Sequence, residues 1–205
     1  MHFSLDALAI YVGALVANAI YAFSTALVAR WHGLSPKEVK VGFGPGVNYR
    51  RGDTTYSLRP IPLSSAVSFR NEEDGTEGEF LRWKLYYDLP YTSKCLILSA
   101  GPVVMTAVGL MGAFTHLSRF ALAMSLIVLW FGLANFVPVP IQNGGLIVLE
   151  ALPSAKYRRL PGDLSGFTIL ASILILLAIQ ITVGVLLYRY WEIVLSWFLG
   201  STPPN

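Results

Sequence analysis

The chain has little with which to do redox, disulfide or metal chemistry. Its 205 residues include one cysteine, Cys95, so no internal disulfide framework can form, and no CxxC pair or Cys/His cluster offers a metal site. With no activating partner near it in sequence, Cys95 reads as a small apolar residue at a helix start rather than a nucleophile. There are three histidines, His2, His32 and His116, and no two of them share a helix turn. They read as solvated or interfacial side chains. Charge is also scarce: Asp, Glu, Lys and Arg make up 13% of the chain against 54% hydrophobic residues, which is too apolar for an ordinary soluble domain. The near absence of charge from the apolar runs weakens a transporter or channel reading.

What is abundant is long apolar sequence. The first run, residues 7–29, gives about 35 Å of helix, enough to cross a bilayer. A cleaved signal peptide ending near Ala17-Asn18-Ala19 is the rival reading, but Asp6 and the lack of Lys or Arg ahead of the run favour a retained helix. Residues 94–116 and 120–137 form two further segments joined by a turn short enough to make them antiparallel neighbours. A fourth run, 165–198, ends in an extension with Tyr190, Trp191 and Trp197, suited to an interfacial belt; a bend near Tyr188 is left open. The expected fold is a single, mainly α, polytopic membrane domain of about four transmembrane helices.

Most basic residues, from Arg30 to Lys94, fall between the first two segments, and Lys156, Arg158 and Arg159 fall between the third and fourth. The positive-inside rule then places both connections in the cytoplasm and both termini on the opposite side, as in a bacterial inner membrane protein. Glu72, Glu73, Asp74, Glu77 and Glu79 interleave with these cations, which argues against nucleic-acid binding. Residues 70–93 read as a cytosolic loop with an interfacial aromatic end. Residues 38–69 alternate in the manner of strands around Gly44-Pro45-Gly46 and Arg51-Gly52-Asp53, and predict a small membrane-associated β-hairpin or sheet between helices 1 and 2. So short a sheet cannot stand alone and is expected to lean on the helices.

The third run ends in Asn-Phe-Val-Pro-Val-Pro-Ile-Gln-Asn-Gly-Gly, residues 135–145. Two prolines and two glycines break the helix at or near membrane depth, so a Pro/Gly turn and a short helix are expected over 138–152. Irregular backbone at that depth needs protein or a water-filled cavity to satisfy it, which marks a site. Asn135, Pro138, Pro140 and Gly144 resemble the second signature of the site-2 proteases, intramembrane zinc metalloproteases. Ala29-Arg30, Gly33, Val41-Gly42-Phe43-Gly44, Ile61-Pro62-Leu63 and Ala100-Gly101-Pro102 extend the resemblance in the same order along the chain.

The resemblance implies a His-Glu-x-x-His zinc motif on the first helix and a zinc-binding Asp in the signature. The matching positions hold Tyr21, Ala22 and Thr25, and Asn143, which offer neither strong zinc ligands nor a general base. Ser24 has a hydroxyl but no Lys or paired His on the helices to activate it. The expectation is therefore a pseudoprotease with no catalytic residue, no metal and no cofactor. It would bind a membrane-spanning protein partner, as a regulator or a fixed subunit, with lipid in gaps between helices. The expected groove comprises Asn18, Tyr21, Ser24, Asn135, Gln142 and Asn143; the expected sheet edge comprises Tyr56, Leu58, Ile61 and Leu63. The alternative is an active intramembrane metalloprotease with unorthodox ligands.

Overall fold

A computed structural model describes residues 2–69, 86–115, 118–137 and 143–151, together with Leu174, Ala178, Thr182 and Ile193. Its order is α1 (His2–Trp31), β1 (Pro36–Phe43), β2 (Val47–Arg51), β3 (Thr54–Leu58), β4 (Ile61–Phe69), a 3-10 turn (Tyr86–Asp88), α2 (Tyr91–Phe114), α3 (Arg119–Ala134) and α4 (Asn143–Ala151). Two stretches, Ala7–Trp31 of α1 and Tyr91–Phe114 of α2, are long and apolar enough to cross a membrane. The third expected segment is shorter than the sequence suggested. α3 has 16 residues, about 24 Å, and stops at Asn135 because the chain turns there toward α4. The expected fourth segment lies outside the described residues except for the four isolated positions, and so do residues 70–85 of the expected loop and the turn at 138–142.

Small residues let the three long helices approach closely. A side chain at Gly109 would collide with the Leu129 backbone of α3, and one at Gly112 with Ser125. Gly132 has no room against Thr106 of α2, and Gly13 of α1 touches the Met124 backbone. Between lipid-embedded helices, close backbone approach and dispersion replace the hydrophobic drive available in water. Ala17, Met105 and Val128 fill the centre of this junction. Many large apolar side chains point outward, Met111, Phe114 and Leu27 among them, as a surface facing lipid rather than water would require.

The segment between α1 and α2 forms the expected small sheet. It is a four-stranded mixed sheet of order β2-β3-β1-β4, with β1 and β3 parallel and the other pairs antiparallel. The turns at Gly44-Pro45-Gly46 and Arg51-Gly52-Asp53 are local, whereas the β1–β3 and β1–β4 pairings that order the strands are long-range. Gly42 and Gly44 have positive φ (82° and 95°). Side chains at Gly42 or Gly46 would strike the Leu58–Arg59 backbone, so this loop must be glycine-rich to fold over β3's end.

The sheet runs back along α1. Arg30 reaches Thr54 Oγ1 (3.0 Å) at the base, Asn18 Nδ2 donates to the Pro62 carbonyl (3.1 Å), and Tyr11 OH donates to the Pro60 carbonyl (2.7 Å) at the tip. Between these ties, Ala22 and Ala26 pack on Val39 and Val41. Arg30 and Tyr11 are separated on α1 by about 28 Å, close to the roughly 30 Å of a hydrocarbon core. Arg59, beside Pro60, therefore lies at the tip of the sheet and Arg30 at its base, although both belong to one run of basic residues in the sequence. The two sit at opposite levels because β3 carries the chain from base to tip.

Candidate functional site

The Pro/Gly signature is held in place by backbone bonds. Asn135 caps α3, its Nδ2 donating to the Phe131 carbonyl (2.8 Å), and its own carbonyl accepts from Gly144 N–H (2.9 Å). This second bond folds α4 back onto the end of α3. A side chain at Gly144 would collide with the Phe136 carbonyl, so the closure needs glycine at that position. Asn143, the first residue of α4, is thereby buried against α1 and α2.

There it makes two complementary hydrogen bonds. Tyr21 OH of α1 donates to Asn143 Oδ1 (3.0 Å), and Asn143 Nδ2 donates to the Leu98 carbonyl of α2 (2.6 Å). The Leu98 carbonyl is free because Pro102, four residues on, has no N–H to give it. A carbonyl only accepts, so this contact fixes which way the amide points. Three helices are joined by one carboxamide whose donor and acceptor are both used.

Gly101, next to that proline, makes room for the arrangement. A Cβ there would strike the Tyr21 ring and come within 3.1 Å of Thr25 Oγ1. Tyr21 and Thr25 therefore flank one point on α2. Thr25 Oγ1 is buried without a hydrogen-bond partner among the described residues. Ala22 faces the other way, into the apolar cluster under the sheet. Zinc favours imidazole, thiolate and carboxylate ligands. Two hydroxyls and a carboxamide, with the Tyr21 proton and the Asn143 oxygen already bound to each other, do not fit it.

Beside this junction lies a cavity of about 400 Å³ lined by Asn18, Tyr21, Asn135 and Asn143, by Trp130 of α3 and by Leu63, Ser64 and Ser65 of β4. Four of the expected groove residues thus share one cavity. Ser24 is not among its lining, because its hydroxyl donates to the Ile20 carbonyl of its own helix. Gln142 lies outside the described residues. The expected sheet edge divides. Ile61 and Leu63 are on β4, which among the described residues pairs only with β1, whereas Tyr56 and Leu58 are on β3, enclosed between β2 and β1. The parallel β1–β3 pairing that encloses them has no local sequence signal.

Sequence reasoning missed Leu98, Ser64, Ser65 and Trp130. A signal existed for Leu98 alone, since a proline inside an apolar helix exposes the carbonyl four residues earlier. Residues 23–118 match the sequence model of Peptidase family M50, which spans the end of α1, the sheet and α2. A Neisseria meningitidis protein named as a candidate zinc metalloprotease is 30% identical over 112 residues, covering 51% of this chain and 24% of that protein. The chain thus spans about a quarter of the length of that relative. Matched sequence, an apolar helix pair and the sheet between them agree, and residues 23–118 of this chain are similar to the M50, or site-2 protease, family.

Proposed function

We propose that this chain is a non-catalytic member of its family that binds a membrane-spanning protein partner, as a regulator or as a subunit of a larger membrane complex. The observation that carries the reading is the Tyr21–Asn143–Leu98 junction. Two of the residues at the positions where the resemblance implies zinc ligands, Tyr21 and Asn143, are joined to each other and to backbone by neutral hydrogen bonds. The cavity beside them, with the outer edge of β4 along one wall, suits an extended or partly unwound segment. Such a segment gains main-chain bonds from a strand edge and satisfies its remaining polar groups on Asn18 and Asn135. The four-span topology with both termini on the non-cytoplasmic side is part of the same proposal.

The test is mild-detergent purification of the tagged chain from its native membrane, with mass spectrometry of proteins that co-elute in stoichiometric amount. A constant membrane partner, weakened by Asn18→Leu or Ser64→Trp in the cavity wall, is the expected result. Isolation alone across detergents, or binding indifferent to both substitutions, would remove the cavity from the account. The name of the Neisseria relative favours the second reading, an active protease with unorthodox ligands. Zinc that co-purifies with the chain, and proteolysis abolished by a chelator, would establish that reading instead.

A further inference from the structure

Two walls of the cavity come from elements that meet again beyond it. Leu63, Ser64 and Ser65 of β4 line one side, and Asn143 of α4 lines another. About 13 Å along the strand from Ser65, the Phe69 ring stacks on Tyr86 of the 3-10 turn, with centroids 5.9 Å apart and planes 4° from parallel. About 10 Å along α4 from Asn143, Glu150 Oε2 meets the Lys94 ammonium of α2 at 3.1 Å. The same ammonium lies 5.4 Å from the Tyr86 ring centroid. Lys94 thus holds the far end of α4 by its charge and the far end of β4 through one aromatic stack. Phe69 and Tyr86 in turn pack on Ala29, Leu34, Leu89 and Ile97, where α1 ends and α2 begins, so the assembly has a fixed base.

Helix electrostatics do not account for the pair. Lys94 lies in the first turn of α2, an end that repels cations, and Glu150 lies in the last turn of α4, an end that repels anions. Each is badly placed for its own helix and well placed for the other. Their side chains are 13% and 29% exposed, so water screens this pair less than an open surface bridge. At its other end α4 is tied by Asn143 and Gly144. Between the two, the Tyr91 hydroxyl stands 3.5 Å from the Ile147 carbonyl, at the limit of a hydrogen bond. Release of Glu150 would leave α4 as a lever hinged at its first turn. We propose that Lys94 is a positioning residue that clamps the cavity: it fixes the spacing of the β4 and α4 walls, and a partner segment enters when the Lys94–Glu150 pair opens. The clamp rests on the reading of the cavity as the binding site and gives that site its gate.

The experiment uses the full chain in nanodiscs, without a partner, on a Cys95→Ser background. It follows the rate at which a water-soluble maleimide modifies one of two buried cysteines. Met105→Cys lines the cavity, whereas Val128→Cys belongs to the same apolar cluster but not to the cavity lining. Lys94→Met, Glu150→Gln and the double variant should each speed the reaction at Met105→Cys by about fivefold or more, and leave Val128→Cys within about twofold. Exchanging the charges, Lys94→Glu with Glu150→Lys, should return the first rate to within about threefold of the parent. Unchanged rates at Met105→Cys would overturn the proposal. Equal acceleration at both cysteines would also overturn it, showing general loosening. So would a double variant that reacts like the parent, since stranded charge would then explain the single variants. Because no partner is present, failure here leaves partner binding standing, and failure to co-purify a partner leaves the clamp standing.

Discussion

Replacing Asn143 by Asp restores the residue type that the family signature implies and, by the geometry here, should damage this chain. The carboxamide donates to the Leu98 carbonyl at 2.6 Å and accepts from Tyr21 at 3.0 Å. A carboxylate keeps the second bond and loses the first, leaving two oxygens facing each other in a site that is 5% exposed. An orphaned buried carbonyl costs about 1–3 kcal/mol, and an uncompensated charge adds to it, so Asn143→Asp should destabilise by about 2–4 kcal/mol. Asn143→Leu loses both bonds but introduces no charge and should cost less. Tyr21→Phe should cost about 1 kcal/mol, and its coupling with Asn143→Leu should be about 0.5–1.5 kcal/mol, the range of single interhelical bonds in membranes. Equilibrium unfolding in bicelles, with and without zinc, measures all four quantities. An Asn143→Asp chain as stable as the wild type, or one stabilised by added zinc, would refute the reasoning.

Two further substitutions probe the same junction. Gly101→Ala forces the Tyr21 ring off its place and should lower stability by about 1–3 kcal/mol, whereas Ala100→Gly beside it should act only through helix propensity, by about 1 kcal/mol; thermal unfolding in detergent separates them if the first also abolishes coupling to Asn143. Thr25→Val removes a buried hydroxyl that has no partner among the described residues, so stability should be unchanged or raised by about 1 kcal/mol. A clear loss on Thr25→Val would mean that the hydroxyl is bonded.

How much of the site could be read in the sequence depends on the range of the contact. Asn135, Gly144 and Asn143 were legible because a helix end, a turn and a helix start are consecutive, and their residue types are dictated locally. The family could be read from the order of short motifs, of which Gly42-Phe43-Gly44 and Gly101-Pro102 prove to be places where backbone or a ring passes too close for a side chain. Ser24 was misplaced because helical spacing alone put it with Tyr21 and Asn18, whereas a serine in a helix readily bonds its own preceding turn. Tyr56 and Leu58 were misplaced because alternation marks a strand without naming its neighbours.

Composition and periodicity by themselves determined an apolar chain, two helices able to cross a membrane, strands between them and a broken helix at Asn135. These follow from short-range chemistry: side-chain transfer free energy, the missing N–H of proline and the conformational freedom of glycine. Only the tertiary structure decided that Asn143 completes a bond for a carbonyl freed by Pro102, on a helix 45 positions earlier at Leu98. It alone put Arg59 and Arg30 at opposite ends of the sheet, and β3 rather than β4 inside it. Those outcomes depend on which distant surfaces pack together. Sequence pattern gives each surface its chemistry, and only the packed chain gives it a neighbour.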